Sequence, residues 1–185
     1  MQVDETYVGG AKLGGVGRGA AGKCLVVIAA EKDGPRTGRI RLQRVADASA
    51  PSLHGAITEA VAPGSVIETD GWHGYCGLRE KGYEHRVTRP AEELGGHPLP
   101  HCHRVASLLK RWLLGTHQGA VRHSHLDYYL DEFTFRFNRR TSRSRGLLFY
   151  RLAQQALAVD PVPESQLQHR EPAPDLPQDA LESTA

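Results

Sequence analysis

Leu25-Val26-Val27-Ile28-Ala29-Ala30-Glu31 is a continuous apolar run of strand length, uncharged until Glu31. A run without alternation is the pattern of a strand buried on both faces, inside a sheet covered by helices. Upstream, Gln2-Val-Asp-Glu-Thr-Tyr-Val8 is rich in strand-favouring residues. Downstream, Asp33-Gly34-Pro35 makes a turn, and from Gly38 to Val45 the apolar Ile40 and Leu42 alternate with Arg39, Arg41 and Gln43. Three successive strands predict an antiparallel meander.

The next segment changes period. Ser49 or Ser52 can cap a helix with Pro51 in its first turn, Leu53, Ile57 and Val61 form its apolar stripe, and Pro63-Gly64 ends it. Ser65-Val-Ile-Glu-Thr-Asp70 is a fourth strand. Strand, helix and strand in succession favour a parallel crossover, so the sheet is mixed and the class α/β. Tyr75 to Lys81 reads as a short helix, Tyr83 to Thr88 as a fifth strand, and Pro90 to Pro100 as a loop. Three helices follow, at 103–115, 125–138 and 146–159. From Pro161 the chain carries five prolines and few large apolar residues, which predicts a disordered acidic, proline-rich tail over 160–185 behind a folded domain over 1–159.

The helix from His103 to Gly115 is two-faced. At about 100° per residue, Val105, Leu108, Leu109, Trp112 and Leu113 fall on one side. His103, Ser107 and Lys110 fall on the other, with Arg111 at the edge. A solvated basic face is the ordinary explanation. It weakens because His103 and Lys110, seven residues apart, stand on one line, and because Asp4 and Asp70 each lie in or at the end of a strand.

The net charge of +2 conceals an asymmetry: residues 101–151 hold ten Lys/Arg against three Asp/Glu, and 158–185 hold one against six. Arg136, Arg139, Arg140, Arg143 and Arg145 cluster around Asn138 and Ser142, which favours a polyanion partner such as nucleic acid. Three widely spaced cysteines give no disulfide framework or zinc pair and suggest a reducing cytoplasm. No apolar run approaches a membrane span, and no secretory signal opens the chain. Gly17-Arg-Gly-Ala-Ala-Gly22-Lys23 matches the spacing of a phosphate loop. That loop must open a helix, whereas here Lys23 leads into the apolar strand. A hairpin loop is the better reading, with Lys12, Arg18 and Lys23 available to a DNA backbone.

Phosphodiester chemistry commonly uses two divalent ions held by carboxylates on rigid neighbouring elements. Magnesium keeps water and substrate oxygens in its shell, so two or three protein ligands suffice. Asp4, Asp70 and His103 have suitable placements. Glu68, two residues before Asp70 on the same face, is an alternative third ligand. Strand alternation turns Glu5 away from Asp4.

In order along the chain, Val3-Asp4-Glu5-Thr6-Tyr7-Val8-Gly9-Gly10, Thr69-Asp70-Gly71-Trp72-His73-Gly74-Tyr75, His103-Arg104-Val105 with Ser107 to Arg111, Gly115-Thr116-His117, and Tyr129 to Arg140 resemble the catalytic domain of DDE-superfamily bacterial insertion-sequence transposases. The resemblance covers roughly residues 2–157. It is narrower still to the zinc-ribbon insertion-sequence group, in which the third ligand varies among Glu, Asn and His. It implies a ribonuclease H-like fold, a mixed five-stranded sheet flanked by helices with a helical C-terminal part. It further implies Asp4, Asp70 and His103 as ligands of two Mg2+ or Mn2+ ions, and Lys110 near the scissile phosphate. Arg111, Arg136, Arg139, Arg140 and Lys23 are expected on the DNA. The implied chemistry is hydrolysis at element ends and strand transfer to target DNA, by a homo-oligomer acting on the nucleoid. Asp4 lies so near residue 1 that the N-terminal DNA-binding region of such proteins is expected to be missing. Two rivals follow: a nuclease that cuts without joining, and an inactive remnant that only binds DNA. Imidazole in place of a carboxylate lowers the negative charge, introduces a group that titrates near neutrality, and favours manganese over magnesium.

Overall fold

The structure is a computed structural model that describes residues 1–9, 23–89, 97–117 and 123–167. The glycine-rich loop with Lys12, Arg18 and the Gly17–Gly22 match, the segments 90–96 and 118–122, and the tail from residue 168 lie outside the described residues.

β1 (Gln2–Val8), β2 (Cys24–Asp33) and β3 (Arg36–Val45) form the antiparallel meander. α1 (Ala50–Ala60) then crosses over to β4 (Val66–Thr69), parallel to β1, and β5 (Glu84–Val87) lies parallel beyond it. The sheet order is β3-β2-β1-β4-β5. This is the mixed five-stranded α/β sheet with flanking helices expected for a ribonuclease H-like fold. β2 is an interior strand, so its apolar run has to serve both faces. Val26, Ile28 and Ala30, with Ile40, pack beneath α2 (Pro100–His117) and α3 (Leu126–Asn138); Val27, Ala29, Val3 and Ile67 pack against α1.

α2 buries Cys102, Val105, Leu109 and Leu113, with Leu108 and Trp112 partly buried. Each fully buried aliphatic side chain contributes about 1.5–3 kcal/mol. The helix begins at Pro100 rather than His103. The short helix expected at Tyr75–Lys81 is absent. Its place is taken by a 3-10 turn, His73–Tyr75, and successive turns. Tyr75 is drawn fully into the core, and Gly77 at φ 90° turns the chain out of helical geometry. Ser49 occupies the N-cap position of α1 without a side-chain cap; its own amide donates to Asp47 Oδ1.

β3 is an edge strand, and α3 closes part of that edge. Asn138 Oδ1 accepts from Ile40 N at 2.7 Å, and its Nδ2 donates to Ile40 O at 2.9 Å. The amide thus pairs with Ile40 as a neighbouring strand would.

The chain divides into two units, Met1–Ser144 and Arg145–Ala185. The second contains α4 (Arg145–Leu157), the expected third helix of the C-terminal part, which buries none of its residues, and one helical turn, α5 (Glu164–Leu167). No helix among the described residues is long and apolar enough to cross a membrane.

Candidate active site

Residues paired across an antiparallel ladder share a face of the sheet. Asp4 is paired with Ile28, which belongs to the core under α2, so Asp4 points toward that helix. Asp70 follows β4 directly and is exposed, its Oδ1 accepting from Trp72 N at 2.9 Å. That Asx turn holds the carboxylate at the strand end.

Three bonds across the fold seat the first turn of α2. His101 N donates to Gln2 Oε1 at 2.9 Å, His101 Nδ1 is 2.9 Å from Thr37 Oγ1, and Cys102 Sγ–H donates to Ile28 O at 3.5 Å. They tie the helix to β1, β3 and β2, and so bring His103 beside Asp4. The His97 ring stands edge-on against His103 with centroids 4.0 Å apart.

The electrostatics report the same convergence. Burial and the neighbouring Glu5 charge push the Asp4 carboxyl up to about 6; Asp70 adds to this, while the Glu5 backbone N–H and His103 pull it down. Lys110 is lowered by burial and by Lys23, and Asp4 opposes the shift. Asp4, Asp70, His103, Lys110 and Lys23 therefore form one neighbourhood. Glu5 acts on Asp4 from the other face of β1, where it accepts from the buried Tyr75 hydroxyl at 2.6 Å in the core shared with α1. Burial and then Glu5 raise the phenol far above its ordinary range. Glu68 is also engaged, with Lys32 Nζ at 2.7 Å and Gln2 Nε2 at 3.3 Å. Burial pushes its carboxyl up, but those two hydrogen bonds outweigh it and leave it below the usual range.

Among the described residues, no three His, Cys, Asp or Glu side chains form a cluster able to hold a metal ion. The donors present are neighbours rather than a closed cage. Two carboxylates and an imidazole are nevertheless the kinds of donor that a divalent cation takes. A magnesium-type ion completes its shell with water and phosphate oxygens.

The remaining basic residues gather elsewhere. Arg111, Arg136 and Arg140 line a cavity of about 700 Å³ between α2, α3 and the start of β3, together with Arg36 and Arg104. Arg140 donates to the carbonyls of Thr37, Gly38 and Phe137, so it also supports the fold. Arg136 pairs with Glu132 at 2.7 Å, and Arg139 lies over Phe135 at 3.9 Å. Sequence reading missed Arg36, Arg104 and His97. Arg104 stands one residue from His103 and could have been found from the helix period; nothing local marks the other two.

A family model described as an ISXO2-like transposase domain matches residues 1–138 of the chain. No curated protein and no solved structure matches it.

Proposed function

The chain belongs to the ISXO2-like transposase domain family, and from that premise we propose that the Asp4–Asp70–His103 face carries metal-dependent cleavage and joining of DNA at the ends of an insertion sequence. The observation that supports it is the Asp4 carboxyl, pushed up to about 6 and coupled to both Asp70 and His103. Divalent cations held by these three residues would activate the attacking oxygen and offset charge on the leaving oxygen. Transposases of the DDE superfamily generally use such ions.

The chain's own residues account for the rest. Lys110 and Lys23 flank the carboxylates and hold the scissile phosphodiester, an anion the two aspartates would otherwise repel. His103, on the helix anchored by Gln2, Thr37 and Ile28, supplies an imidazole nitrogen as the third donor. Hydrolysis breaks the P–O3′ bond, leaving a 3′-hydroxyl and a 5′-phosphate. That hydroxyl then attacks a target phosphodiester and displaces its 3′-oxygen. The substrate places the reaction on nucleoid DNA in the cytoplasm, and two element ends call for a homo-oligomer.

The test is to incubate the purified chain with labelled element-end and generic duplexes plus magnesium or manganese. Joined product lost in Asp70→Ala supports the proposal. Nicking without joining assigns a nuclease instead, and binding with neither assigns a DNA-binding remnant.

A further inference from the structure

The cavity between α2 and α3 has a composition that duplex cleavage does not call for. Its apolar wall is Trp112, Phe133, Phe137 and Leu108, and its rim carries five arginines. Three of these, Arg36, Arg104 and Arg111, are exposed and have no carboxylate partner among the described residues. Arg104 approaches Arg140 closely enough to lower its guanidinium, after the effect of burial. Like charges held together around an apolar hollow are unfavourable without an anion between them. Arg104, Leu108 and Arg111 lie along one line of α2 at helical spacing, whereas His103 and Lys110 belong to the aspartate side of the helix. The hollow is therefore a second surface, distinct from the carboxylates.

We propose that this groove binds a single-stranded DNA segment, seating an unstacked base against Trp112 with its flanking phosphates on Arg36, Arg104 and Arg111. A duplex presents its bases stacked inside and its phosphates on a convex ridge, so an apolar recess gives it nothing. A single strand offers both a π-face and a phosphate chain, the two chemistries that meet here. Arg140, whose guanidinium lies 3.9 Å over the Phe137 ring, stiffens one wall of the recess. Only the identity of the strand as DNA rests on the transposase reading; the recognition chemistry does not.

The experiment uses the full chain with chelator present, so that no cleavage intervenes. A fluorescent oligothymidylate of about ten nucleotides, a span suited to one stacking groove, is titrated by anisotropy beside an abasic strand of equal length and a duplex. Tryptophan emission is followed in parallel. Loss of one stacked base weakens binding by about five-fold or more, so the thymidylate should bind at least about five-fold tighter than the abasic strand. It should also quench emission, and the quench should shrink in Trp112→Phe, which keeps an aromatic ring and leaves Trp72 as the remaining emitter. Arg104→Ala with Arg111→Ala, both at exposed positions, should weaken the thymidylate while far-UV circular dichroism stays unchanged. Equal affinity for thymidylate and abasic strand, or a quench undiminished in Trp112→Phe, overturns the proposal. Nicking of duplex by the wild type with metal is scored separately. Failure there removes the cleavage proposal and leaves the groove result standing.

Discussion

Asp4→Asn should make the metal-free protein more stable, not less. Asp4 is half-buried, and its carboxyl is pushed from the ordinary 3.8 to about 6. Because the folded value lies above the unfolded one, folding takes up a proton between about pH 4 and 6. Stability is then highest below that window, falls as pH rises through it, and stays low above it. Each pH unit between the two values is worth about 1.4 kcal/mol, so the ionised carboxylate costs the folded state roughly 3 kcal/mol at most, and about 1–3 kcal/mol after allowing for its partial exposure. Asparagine removes the charge, and its Oδ1 still accepts the Glu5 N–H that Asp4 Oδ1 takes at 2.9 Å. Urea unfolding with chelator present, compared at about pH 8 and pH 4, measures the difference. The variant should gain about 1–3 kcal/mol at the higher pH and nothing at the lower. Adding magnesium or manganese should raise the melting temperature of the wild type and leave that of the variant unmoved. A variant no more stable than wild type at pH 8, or an advantage that persists unchanged to pH 4, would refute the claim that burial and the Glu5 charge disfavour the ionised Asp4 carboxylate.

Asn138→Ala should cost about 2–3 kcal/mol by urea unfolding, because it strips two hydrogen bonds from the buried Ile40 backbone; a loss below about 0.5 kcal/mol would show that solvent replaces the amide. Gly74→Ala should lower the melting temperature through about 1–3 kcal/mol of overpacking, since a Cβ there would stand 2.5 Å from Ala48 O and 2.8 Å from Leu53 Cδ1; an unchanged melting curve would mean the loop after Asp70 is free to shift. Cleavage with manganese should exceed cleavage with magnesium at equal concentration, because imidazole suits the softer ion; equal rates between about pH 6 and 8 would argue against His103 as a ligand.

Local pattern carried the fold. The apolar run from Leu25 to Ala30 could satisfy its environment only as an interior strand, and the stripe of Val105, Leu109 and Leu113 only as a helix laid on a sheet. Alternation along β1 was enough to send Asp4 and Glu5 to opposite faces, where Glu5 meets Tyr75. These properties repeat every two or 3.6 residues, so they are written in neighbouring positions.

The site's supports have no such period. Gln2 and Thr37 reach His101 across 99 and 64 positions, and Cys102 reaches Ile28 across 74. His97 meets His103 only once the chain has turned into α2. Glu68 was readable as a possible ligand from its place beside Asp70. Only the parallel register of Gln2 with Glu68, and the nearby Lys32, show its carboxylate to be engaged. Likewise a basic C-terminal half was legible as charge, but its division was not. Lys110 beside Asp4 and Lys23, and arginines from β3, α2 and α3 around one apolar hollow, follow from how the helices dock. The sequence by itself determined which residues form strands and helices and which faces they bury, because those are short-range matters of sterics and hydrophobicity. Tertiary structure decided which polar groups meet, because pairs drawn from distant segments become neighbours only when the core closes.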